Sequence, residues 1–423
     1  MKRLFIIIAG IVVLIGLLVG VYYLFLAPKG ASLSVGDPFA NTGSGQATPS
    51  TDLPTDGIVK NAGTTLAPRF IKITDGPIAH GSVVMDVQIP NPDAVANTNA
   101  GAVSLSASTS ASTTPSVPPT IPDTEVRFID RASGNVYSFI AHARSLTRIS
   151  NKTLPGIQTA SWTPDGTRAY AQFLASTGGE ETVNTYALNA NGGDGYLLEN
   201  NLSEAQVVGS STLFTLFSGS TGSVGTLSRS DGSNSRTLFS SLLSAIVVHP
   251  TNGDLFATNK PSSQIDGYAF QINRSTGSFS RVLGAFRGLS VLPSLTGKSL
   301  LYSYADSGVY HLNVMDVPSH TATALPVATL TEKCVWTADG LSVYCAVPTN
   351  LAGNLPDDWY QGATTFTDRI WKIDMTQRIA TLVLDPYQIG KINVDAVNLS
   401  IDPSEDILVF TDKHSGALYS YDL

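Results

Sequence analysis

Four turns of one kind recur along this chain at nearly constant spacing. They are Trp162-Thr-Pro-Asp-Gly166, His249-Pro-Thr-Asn-Gly253, Pro293-Ser-Leu-Thr-Gly297 and Trp336-Thr-Ala-Asp-Gly340. Their closing glycines lie 87, 44 and 43 residues apart, so the first interval holds two units of the size of the others. Each turn sits between two short apolar runs, the pattern of a tight β-hairpin. A repeat of about 40–45 residues built from short strands is the mark of β-propeller blades. With 37 Gly and 14% charged residues, the composition suits many short strands joined by turns.

Innermost strands are expected near 79–85, 157–163, 204–210, 243–249, 288–294, 331–337 and 396–402. Third strands are the most regular, as in Asn135-Val-Tyr-Ser-Phe, Gly308-Val-Tyr-His-Leu and Gly416-Ala-Leu-Tyr-Ser-Tyr. They alternate with period two and carry aromatics, as half-buried strands do. The pattern predicts an all-β fold over 68–423, a seven-bladed β-propeller. It carries a low-complexity insertion at about 90–122 and a loop insertion at about 349–366. The last blade lacks an outer strand after Leu423, so the strand at about 70–74 is expected to complete it and close the ring.

Met1-Lys2-Arg3 precede an uncharged apolar run over 4–27, long enough to cross a bilayer core as a helix. It exceeds the apolar region of a cleavable signal, and Leu24-Phe-Leu-Ala-Pro28 is a poor cleavage site. Residues 1–27 therefore read as a transmembrane signal anchor. The positive-inside bias of Lys2 and Arg3 places the N-terminus in the cytoplasm and the propeller outside it, in the periplasm or at the cell surface. Residues 28–67, rich in Gly, Ser, Thr and Pro, read as a flexible tether.

The two cysteines, Cys334 and Cys345, flank the Asp339-Gly340 turn. If Asp339 and Gly340 are its central residues, 334 and 345 face each other, and such partners approach to about 4.5 Å between Cα atoms. An outer, oxidising compartment favours a disulfide. Two reduced, buried thiols are the other state this pattern allows.

Few residues suggest chemistry. A formal charge of −8 argues against nucleic acid, whose phosphates need a basic face. Gly297-Lys298-Ser299 lacks the first glycine of a phosphate loop and lies in a hairpin turn. No metal or cofactor motif and no catalytic constellation is recognised. The six histidines are scattered, and His80, His249 and Asp402, at or near innermost strands, read as structural. Asp357, Asp358, Trp359 and Tyr360 stand in the 349–366 insertion, where paired aromatics suit either a recognition anchor or a small core of the loop itself.

The turn Ser161-Trp162-Thr-Pro-Asp-Gly166 and its second version, Val335-Trp336-Thr-Ala-Asp-Gly340, resemble the repeat of TolB-like propellers, also called WD40-like repeats. That resemblance implies an extracytoplasmic propeller that binds proteins or envelope components, often without catalysis; it transfers no functional residue. The expected function is a membrane-anchored, non-catalytic binding or scaffold module with a protein or cell-envelope partner. The alternative is a propeller enzyme, of lactonase, lyase or glycosidase type, with a polar site at the central channel.

Overall fold

The computed structural model describes residues 69–92, 94, 118–177, 180–193 and 195–423. The apolar run 4–27, the tether 28–67 and most of the 90–122 stretch lie outside the described residues. Among the described residues no helix is long and apolar enough to cross a membrane.

The described chain is all-β and antiparallel. Four-stranded meanders cover 83–148, 157–197, 202–241 and 334–384, and strands follow chain order within each. A seven-stranded sheet covers 246–324. Its long strand Phe279–Pro293 belongs to two meanders at once: its first half pairs with Asp266–Ile272 and its second with Ser299–Asp306. The register breaks between Arg287 and Ser290, where Gly288 takes a φ of +63°. A left-handed residue there turns the strand out of one meander and into the next.

The last sheet breaks chain order. Ala396–Ile401, Ile407–Asp412 and Leu418–Asp422 are completed by Phe70–Lys72, with Phe70 opposite Tyr421 and Lys72 opposite Tyr419. In the first sheet the ladder runs out to Pro90 opposite Thr120. Residues 120–122, which composition assigned to the insertion, thus belong to strand Thr120–Ile129.

The recurrent turns hold four loop residues, not two. Thr163 N–H donates to Arg168 O at 2.9 Å, and Arg168 N–H returns a bond to Thr163 Oγ1 at 3.0 Å. Thr337 and Ser342 repeat this at 3.0 Å in both directions. Gly166 and Gly340 sit at φ +63° and +71°, closing the turns where a side chain would be strained. Two- and four-residue loops share one centre, so Cys334 still faces Cys345. The two form a disulfide with Cα atoms 4.1 Å apart.

Each turn tryptophan binds the preceding sheet. Trp162 Nε1–H donates to Gly81 O at 3.3 Å and Trp336 Nε1–H to Leu292 O at 3.1 Å. Both rings are buried, and apolar clusters fill the spaces between consecutive sheets. Trp162 and Trp336 are scaffold.

Candidate functional site

The connections from second to third strands, and from the fourth strand to the next sheet, emerge together on one face. The 349–366 loop lies on it. A short helix, Asp357–Tyr360, is its centre. Asp357 Oδ2 accepts from both N–H and Oγ–H of Ser263 at 2.6 Å, although 94 residues separate the two. Gly288 permits the crossing: a Cβ there would lie 3.0 Å from Pro356 Cδ. Asp358 turns inward on its own loop and accepts from Asn354 N–H at 2.8 Å.

Trp359 is 5% exposed and packs with Tyr310, Leu330, Leu355, Phe366 and Val397. The ring thus lies in a core that the loop shares with Tyr310, Leu330 and Val397. Its Nε1–H donates to Asp395 Oδ2 at 2.9 Å.

Beneath the loop lies a buried charge cluster. Lys333 is fully enclosed, with Nζ 2.5 Å from Asp395 Oδ1 and 2.8 Å from Asp368 Oδ2. Ala396 O is a third acceptor at 2.9 Å. Trp359 and Phe366 place their rings 5.2 and 5.4 Å from the ammonium. Asp395 Oδ2 also accepts from Phe366 N–H at 3.0 Å, and Asp368 Oδ2 from Ala396 N–H at 2.7 Å. Burial pushes the Asp368 carboxyl up to about 6 against the pull of Lys333. The sequence reading missed all three residues, which lie far apart in the chain. The one local signal was Glu332-Lys333, two charges directly before a buried strand.

Two hollows adjoin the loop and share Lys260, Pro261 and Tyr360 along their walls. The inner one, about 420 Å³, is lined by Val247, His249, Val291 and Glu332 besides. Tyr360 O–H donates to Glu332 Oε1 across it. Burial, followed by the Glu332 charge, raises the Tyr360 phenol. The outer hollow, about 570 Å³, is bordered by Leu242, Leu243 and Ile265. Burial alone pulls the His249 imidazole down to about 4, so it is neutral near pH 7. His80 stands on another strand contact, with Nδ1 3.0 Å from Asn398 Nδ2. Among the described residues no group of three or more His, Cys, Asp or Glu could hold a metal ion.

Glu204, on the strand neighbouring that of Val247 and His249, is raised to about 7 by burial, against hydrogen bonds from Val248 N–H and Gln206. The folded state holds this proton more tightly than the unfolded chain. Stability from this group is therefore full below the ordinary value of 4.5 and is lost as pH rises through 7. Glu204→Gln should remove that dependence and stabilise the protein at pH 8 by up to about 3 kcal/mol relative to the parent. Urea titrations at pH 5 and pH 8 measure it; an equal difference between the two proteins at both pH values would refute the assignment.

No protein-family model matches the sequence, and no curated protein is similar to it in sequence. Solved structures are similar in fold. An oligogalacturonate lyase in complex with manganese aligns with a TM-score of 0.50 at 12% identity, over 71% of this chain and 86% of its own. TolB from Acinetobacter baumannii aligns at 0.41 and 13% identity, over 59% of each chain. The β-propeller domain of Cps50 (Swd1) from Myceliophteria thermophila aligns at 0.45 and 11%, over 71% of this chain and 93% of its own. The chain is similar to TolB-like and WD40-like β-propellers, and the likeness concerns fold alone.

Proposed function

We propose that this chain is a seven-bladed propeller, anchored by residues 4–27 and held outside the cytoplasm, that binds a protein or envelope component on the face carrying 349–366. Contacts between the meanders support seven blades in a closed ring. His80 bridges Thr159, Ser161 Oγ accepts from Val207 N–H, and Glu204 accepts from Val248 N–H. Strand Phe279–Pro293 joins the next pair through its own backbone. Thr331 Oγ1 reaches Ser290 Oγ, Lys333 reaches Asp395, and Asn398 returns to His80.

The observation that carries the binding role is a set of large apolar side chains standing in water around the two hollows. Leu242 is 91% exposed and Ile265 54%, and Leu243 stands beside them. Tyr387 and Ile389 add to the same face from the link before the last sheet. Apolar surface grouped around a concavity marks an interaction site.

The test is cross-linking and recovery from membranes of the source cells. Leu242→Asp combined with Ile265→Asp should reduce the recovered partner by about tenfold, the effect of losing central anchors. Leu341→Asp, on the opposite face, should leave it unchanged. Equal recovery with both variants would overturn the placement of the binding face.

A second reading, an enzyme with its site at the channel, draws on Glu204. A carboxyl that titrates near neutrality is suited to proton transfer. The lyase similar in fold is an enzyme, but that likeness carries no residue to this chain.

A further inference from the structure

We propose that Lys333 and Asp395 condense to an intramolecular amide, a covalent cross-link between the entry to the 334–384 sheet and the entry to the last sheet, with Asp368 relaying the proton. The reacting groups are already in place. Lys333 Nζ touches one oxygen of Asp395 at 2.5 Å and Asp368 at 2.8 Å, and all three side chains are shut off from solvent. Holding amine and acid together without water converts a bimolecular condensation into a local event and denies the reverse hydrolysis its reactant.

Three acceptors around Nζ would also suit a static ammonium. Two features go further. Asp395 Oδ2 receives Phe366 N–H at 3.0 Å and the shorter branch of the Trp359 Nε1–H bond at 2.9 Å, while Oδ1 faces the lysine and takes the longer branch of that indole bond at 3.2 Å. That leaves Oδ2 positioned as the oxygen that bears charge when nitrogen attacks carbon. Asp368 Oδ1 is buried and has no hydrogen-bond partner, so this carboxyl is only half engaged. The two carboxyls share the Lys333 ammonium, with the Lys413 ammonium also acting on Asp395, and Asp368 is the one raised by burial.

The steps balance. The ammonium proton on the 2.5 Å contact passes to Asp395 Oδ1, leaving a free amine and a neutral acid. Nζ attacks Cγ, and the negative charge collects on Oδ2 between its two donors. Asp368 takes a second proton from nitrogen and delivers one to Oδ1, which departs as water. One C–N bond forms, one C–O bond breaks, Asp368 ends as it began, and no oxidant or co-reactant takes part. Two charges disappear from the interior, where ions are costly.

The full chain, purified from membranes and reduced at its disulfide, decides this by mass. The expected result is an intact mass lower than the sequence mass by one water. A branched peptide joining the Lys333 segment to the Asp395 segment should appear after digestion. Lys333→Arg and Asp368→Asn should each restore the full mass and lose the branched peptide. Full mass in the parent protein overturns the proposal, whatever the variants do. So does a water loss found only in linear peptides, which would place a succinimide at an Asp-Gly pair such as Asp165-Gly166. A branched peptide that persists in Asp368→Asn would refute the relay.

Discussion

Replacing residues 70–73 with Gly-Ser-Gly-Ser should destabilise the propeller by about 5 kcal/mol, with a loss in thermal midpoint of about 10 °C. The segment completes a sheet whose other three strands lie at the far end of the chain. Ile73 N–H donates to Leu418 O at 2.8 Å, and Leu418 N–H donates to Thr74 Oγ1 at 3.0 Å. Phe70 stacks on Tyr419 at 5.5 Å and on Phe410 at 6.2 Å. Losing the Phe70 ring and the buried Ile73 side chain accounts for most of the effect, since large-to-small changes at such positions cost about 2–5 kcal/mol each. The replacement also bares the outer edge of Leu418–Asp422, so aggregation that rises with protein concentration should accompany the lower midpoint. An unchanged melting curve would show that the pairing of Phe70 with Tyr421 does not hold the ring.

What the sequence disclosed was local or periodic. Turn spacing located the hairpins because Thr163, Ser294 and Thr337 each precede a four-residue loop whose third residue is a glycine at positive φ. The facing of Cys334 and Cys345 followed from symmetry about one hairpin, and it survives the change from two loop residues to four. The closing strand was visible because Phe70-Ile-Lys-Ile reads as a strand before the first repeat.

The Lys333 cluster was not visible. Its members stand at the entries to three different strands, and no spacing rule links positions 333, 368 and 395. Nor does composition show that the 349–366 loop crosses two neighbouring sheets. That depends on the missing Cβ of Gly288 and on Ser263, both remote in sequence. The exposed apolar rim was hidden for a different reason. Leu242 and Ile265 look like ordinary strand residues until the strand ends are fixed, and both fall just outside them.

Trp359→Ala should destabilise the protein by about 3–5 kcal/mol and open the loop to proteases. The indole is nearly enclosed, stacked on Phe366 at 6.1 Å, with Lys413 Nζ 4.1 Å from its ring centre. Truncation leaves a cavity under the loop and takes one donor from Asp395, whose carboxyl is buried. Without that packing, Tyr360 loses its place beside Glu332 and the wall between the two hollows goes with it. Partner recovery should then fall together with the melting temperature, and cleavage should concentrate at 349–366. A surface anchor behaves otherwise: its loss weakens binding and leaves melting and protease resistance as they were. Melting and limited proteolysis of this one variant therefore separate the two roles that the sequence left open for Trp359. The burial of the ring predicts the structural outcome.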